Sequence, residues 1–159
     1  WYDQSRKTIK VPLSRAQTFV QLGSKLPKLI VADTAGYIMG EIQYENITFD
    51  QIKTWYSGYP NNFIQRFQAL SMVSGSSADA SSLSSFYLTV LQDKNWRCRQ
   101  YAVEALAKLK GIDTVQISLQ LKNLWNSEKN RKVKTAIVQA WTKWKVKEVQ
   151  ALVYTSIAD

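Results

Sequence analysis

The sequence of 159 residues contains no histidine and a single cysteine, Cys98. Without histidine there is no His-Glu-x-x-His zinc site, no Ser-His-Asp triad and no imidazole general base. One thiol closes no disulfide within the chain and builds no thiolate metal site. Long hydrophobic runs are also missing: none approaches the roughly 20 apolar residues of a membrane helix. No basic-then-apolar leader opens the chain. A Gly-rich phosphate loop is absent, since the segments Gly23-Ser24-Lys25 and Gly75-Ser76-Ser77 lack the required spacing. Glu41, Glu45 and Asp50 gather near the middle of the first half, where they read as solvated surface and a helix N-terminus. No catalytic constellation and no metal ligand set emerges. Compartment stays open between bacterial cytoplasm and periplasm or secretion, because many secreted bacterial proteins also lack disulfides. The chain opens on Trp1 without an initiator methionine, which leads us to expect a piece of a longer protein.

What is present is apolar and basic. Hydrophobic residues make up 45% and the formal net charge is +9, so a real core and an anionic partner both enter the account. Residues 1 to 93 carry 8 Lys or Arg against 7 Asp or Glu, whereas residues 94 to 159 carry 13 against 5. The excess therefore belongs to the last third. It reads as a solvated basic face, as a surface for an acidic protein or, less readily, as a nucleic-acid contact.

Two periodicities divide the chain. In residues 1 to 47, Ile9, Val11 and Leu13 alternate with polar residues, and a short run from Thr18 follows. Leu29 to Ala32 is continuously apolar, like a strand covered on both faces, and Asp33 and Gly36 supply turn chemistry. Ile38, Gly40, Ile42 and Tyr44 then resume the alternation. An antiparallel β region is expected here, the remnant of a β-sandwich. From Thr48 the period becomes helical: Phe49, Ile52 and Trp55, then Phe63, Phe67, Leu70 and Val73. The Ser-rich stretch 74 to 85 reads as a loop leading into a helix capped by Asp79 or a nearby serine. Further helices are expected within 91–111 and from about 114, 130 and 147, about seven in all. The fold class expected is thus α+β: an antiparallel sheet over 1–47, then a helical repeat domain over 48–159.

The helical part repeats. A shift of 35 residues carries Asp93, Cys98, Arg99, Ala102, Ala105, Leu106 and Leu109 onto Glu128, Val133, Lys134, Ile137, Ala140, Trp141 and Trp144. A shift back by 33 carries Arg99, Ala102 and Leu106 onto Arg66, Ala69 and Val73. This period suits stacked helix pairs of HEAT-like type, an α-α superhelix in which each pair covers the next. Cys98 is expected to be a small core residue. Trp141 and Trp144 fall in core positions, while Trp96 replaces Arg131 in the register and is expected to be more exposed. Trp125 and its basic neighbours would also suit stacking on single-stranded nucleic acid.

The order of the segments Leu26–Ile42, Phe49–Leu70 and Leu91–Leu109 resembles the C-terminal part of bacterial gluzincin zinc aminopeptidases of the aminopeptidase N type, and of their relatives among transcription-factor subunits. Arg66 and Ala69 match an Arg-x-x-Ala segment; Asp93, Trp96, Arg99 and Ala102 match Asp-x-x-Trp-x-x-Arg-x-x-Ala. The resemblance implies a non-catalytic accessory region, with the zinc and the catalytic glutamate in an upstream domain of the same chain. It implies a helical domain that packs on that catalytic domain and restricts peptide access to its cavity. Arg97 and Arg99 are the candidates to contact a peptide's terminal carboxylate. The alternative for Arg99 is a contact within the repeat to an acid such as Asp93.

Overall fold

The structure is a computed structural model that describes residues 29–32, 42, 44 and 46–146. All regular structure among them is helical: α1 (Phe49–Gly58), α2 (Phe63–Met72), α3 (Ala80–Val90), α4 (Trp96–Lys108), α5 (Thr114–Ser127) and α6 (Arg131–Lys143), with a 3₁₀ turn at Val73–Gly75 after α2. Each α-helix begins where a side chain satisfies one of the N–H groups that the first turn leaves without a partner. Thr48 and Gln51 form a reciprocal capping box on α1. Asn62, Asp79, Asn95, Asp113 and Asn130 cap the other five. Asp79 therefore turns the serine-rich stretch into the start of α3. The loop from α4 to α5 turns at Gly111, whose φ of 71° lies in the left-handed region that a side chain disfavours.

The helices associate as pairs, α1 with α2, α3 with α4 and α5 with α6, while the second members α2, α4 and α6 lie against one another in sequence order. Several positions that the 33- and 35-residue shifts superimpose are buried together. Ala69, Ala102 and Ile137 are fully buried, as are Cys98 and Val133; Val73, Leu106 and Trp141 are no more than 2% exposed. Trp144 and Leu109 are only half-buried and pack on the core from its margin. Small side chains at Ala69 and Ala102 fill the positions where a larger one would hold neighbouring helices apart. Aromatic contacts knit the layers. Phe67 of α2 meets Tyr101 of α4 edge-on at 5.9 Å, and Trp125 of α5 meets Trp141 of α6 at 5.8 Å. Phe86 of α3 takes Phe49 and Tyr56 of α1 at 5.6 and 5.4 Å.

The expected α+β class is corrected to an all-helical one, for no strand occurs among the described residues. Leu29–Ala32 shows the reason. Ile30 is 55% exposed, so the run is not covered on both faces. The backbone N–H of Ala32 donates to the Tyr44 hydroxyl at 3.0 Å, and that hydroxyl donates back to the Ala32 carbonyl at 3.4 Å. The Tyr44 side chain thus occupies the two groups that Ala32 would present to a ladder. Tyr44 in turn leans on the buried Trp55 of α1, with ring centroids 4.9 Å apart. Leu29 and Val31 pack against the helical core. The alternating runs at 9–13 and 18–22 and most of 33–45 lie outside the described residues, as does the helix expected from Lys147.

Candidate functional site

Two of the three second helices carry an arginine one residue past the first turn, Arg66 in α2 and Arg99 in α4. Each reaches across to the acid in the loop that opens the next second helix. Arg66 grips Asp93 bidentately, Nε to Oδ2 at 2.7 Å and Nη2 to Oδ1 at 2.9 Å. Arg99 grips Glu128 in the same way, at 2.7 and 2.9 Å. The remaining guanidinium donor holds loop carbonyls: Pro60 and Tyr59 for Arg66, Asp93 and Lys94 for Arg99. Each acid also accepts backbone N–H bonds at the start of its helix, from Asn95 to Asp93 and from Lys129 and Asn130 to Glu128. The result is a ladder of two charge-assisted staples, one at each junction between successive layers.

The electrostatics are those of satisfied burial. Desolvation raises the Asp93 carboxyl, but bonds from Arg66, Tyr56 and Asn95 outweigh it and leave it below the usual carboxylate range. Glu128 behaves alike: burial raises it, and Arg99 with the N–H groups of Asn130 and Lys129 brings it below its ordinary value. Tyr56, which donates its hydroxyl to Asp93 Oδ2, has its pKa raised by burial first and by that bond second. Burial pushes the Cys98 thiol up to about 12, so at neutral pH it is a protonated core residue. An open depression lined by Tyr56, Ser57, Pro60, Arg66, Asp93 and Lys94 lies over the first staple. Asp93 and Arg66 already hold each other there, which leaves the exposed Lys94 as the other ionised group of the lining. Among the described residues no cluster of His, Cys, Asp and Glu is suited to a metal ion.

The two arginines singled out from the sequence have different surroundings. Arg99 has its donors bound to Glu128 and to the Asp93 and Lys94 carbonyls, and its side chain is 17% exposed. Its carboxylate partner is the acid of the following layer, 29 residues on; from Asp93 it receives only the backbone oxygen. Arg97 is exposed, with its guanidinium 5.3 Å from the Trp96 ring and 5.9 Å from the Phe63 ring of α2. Lys132 of α6 approaches the same indole, its Nζ at 5.3 Å. Lys134, the counterpart of Arg99 in the third layer, lies over Trp125 at 4.9 Å.

Periodicity did not single out Gln65 or Arg66 as buried, nor Trp96 as a meeting point for cations from two layers. Gln65 fills the place of Cys98 and Val133 and accepts the Trp55 indole N–H at 2.9 Å. The recurring acid–arginine spacing was the available signal for the ladder, though it does not say which acid each arginine takes. Comparison of the chain with family models, with curated proteins and with solved structures finds no match.

Proposed function

We propose that this chain is a non-catalytic accessory region of a zinc-dependent aminopeptidase, a helical-repeat module that packs on the catalytic domain and limits peptide access to its cavity. The observation that supports this reading is the ladder itself. Asp93, Arg99 and Ala102, with Arg66 and Ala69, are the residues that carry the resemblance to the aminopeptidase tail, and they are the staples and close-packed positions of the stack. Their role is to fix the pitch of successive layers, so that a rigid wall of helices is presented to a neighbouring domain. The zinc and the upstream catalytic domain are part of the proposal; the peptide is the substrate of that domain.

Two measurements test it. The reading expects upstream coding sequence with a His-Glu-x-x-His motif and a second Glu about one helix later. It further expects that removing residues 48–159 from that enzyme relaxes its limit on peptide length, so long peptides gain in kcat/KM relative to dipeptides. An upstream region without a zinc motif overturns the reading. So does a truncated, folded enzyme with unchanged length selectivity.

The second reading, a helical-repeat scaffold for an acidic protein partner, is favoured by a specific observation. Arg97 and Lys132 are exposed and have no carboxylate within 4.0 Å among the described residues, whereas the buried acids beside them belong to the staples.

A further inference from the structure

Arg97 and Lys132 come from different layers and meet at one indole. Phe63 of α2, Arg97 and Trp96 of α4, and Lys132 of α6 form a continuous row across three helices. Both cations lie 5.3 Å from the Trp96 ring, so twice that distance is the most that separates them. Three more exposed cations lie close to it in sequence, Lys94 before α4, Lys129 before α6 and Arg131 at the first position of α6. The acids interleaved with them, Asp93 and Glu128, have side chains only 2% exposed and are neutralised by Arg66 and Arg99. The ladder thus removes the negative charge from this edge and leaves the positive charge outside. Five like charges repel one another, and the aromatic faces offset that repulsion only in part.

We propose that this row is the docking surface for an extended acidic polypeptide segment, with carboxylates bound by Arg97 and Lys132 and with apolar stems lying along Trp96 and Phe63. Charge complementarity selects the sign of the partner. Spacing selects its form: in an extended polyproline II chain, with three residues per turn, side chains three apart share one face about 9 Å apart, which is within the limit for two cations held to a common ring. The indole favours a peptide over a nucleic acid, because two cations already lie over the ring on which a base would stack. Arg97 provides planar two-point recognition of a carboxylate, and Lys132 provides a point charge. The inference does not depend on the peptidase reading, since it concerns this chain alone.

The test uses the 159-residue chain and a fluorescent ten-residue peptide with Glu at every third position and Gly or Ser between. Controls are the same peptide with Gln for Glu, and a single-stranded oligothymidylate of 15 nucleotides. Anisotropy at 50 mM salt is expected to show binding of the Glu peptide and at least tenfold weaker binding of the Gln peptide. The double substitution R97Q/K132Q is expected to weaken the Glu peptide at least tenfold, with helical circular dichroism and unfolding midpoint unchanged. Arg97→Lys is expected to fall between the native chain and R97Q/K132Q, since an ammonium keeps the charge but loses the two-point contact, and Lys122→Gln, on the exposed side of α5, to stay within twofold. Three results each overturn the proposal: no binding of the Glu peptide, equal binding by the R97Q/K132Q protein, or tighter binding of the oligonucleotide through the same two residues.

Discussion

At the residue scale the decisive feature is that Arg66 and Asp93 are ionised, buried and fully bonded to each other. A buried pair of this kind is strong evidence of fixed geometry and weak evidence of net stability, because desolvation of both ions opposes their attraction. Removing one partner is another matter, for it leaves the other charge buried alone. Asp93→Asn is expected to destabilise the chain by about 3–5 kcal/mol in urea unfolding, and the paired change Arg66→Met with Asp93→Leu by much less than the two single changes together. The acids also set a pH dependence. Asp93 and Glu128 have folded-state pKa values below their ordinary ones, so the unfolded chain takes up protons first as pH falls. Their contribution is fully present above the unfolded values of about 3.9 and 4.3, and it is lost as pH drops through the lower folded values. Unfolding midpoints between pH 7 and 5 should therefore owe no trend to these groups, with a steep fall below about pH 4. Asp93→Asn should make that fall shallower; an equally steep fall in the variant would exclude Asp93 as a source. Cys98, fully buried and with its pKa raised by desolvation, should resist a thiol reagent in the native state and react at once in denaturant.

Helices here are fixed by their ends as much as by their stripes. Six caps from Thr, Asn and Asp mark six starts, and in each case the side chain bonds an N–H two or three residues along. Local chemistry of this reach is readable in a sequence, and it places the start of α3 inside a serine-rich stretch that by composition alone would pass for a linker. Asn95→Ala is expected to cost about 1 kcal/mol, the usual loss for a cap, and to lower the melting temperature by roughly 2–4 °C. A loss several times larger would mean that Asn95 also orders the Asp93 loop, whose carboxylate accepts the Asn95 backbone N–H. The apolar run ahead of α1 teaches the opposite lesson. Leu29 to Ala32 has the composition of a buried strand, but Ile30 is exposed and the N–H and C=O of Ala32 are taken by Tyr44, twelve residues on. Composition records a tendency; the available partner decides whether it is realised.

For the whole molecule, stacking makes α4 the most constrained element. It lies between α2 and α6, carries Cys98, Ala102, Val103 and Leu106 in the shared core, and receives a staple at one side while sending one to the other. Stability in such an array is a sum over layers and their interfaces. Native-state hydrogen exchange should find the slowest amides in α4 and faster ones in α1 and α5; slowest exchange in α5 would contradict the layered account. Leu106→Ala, at the centre of that core, should cost about 2–5 kcal/mol by urea unfolding. By itself the sequence determined what acts over a few residues or recurs at fixed intervals: helix starts, the 33- and 35-residue periods, the core positions of Cys98 and Trp141, and the want of histidine chemistry. Only the tertiary structure decided which acid each arginine takes, that Gln65 and Arg66 are buried, and that Phe63, Arg97, Trp96 and Lys132 share one edge. The reason is one of range. Caps and periodicity are written in neighbouring side chains, whereas pairing across 27 or 29 residues depends on the angle and offset at which whole helices dock.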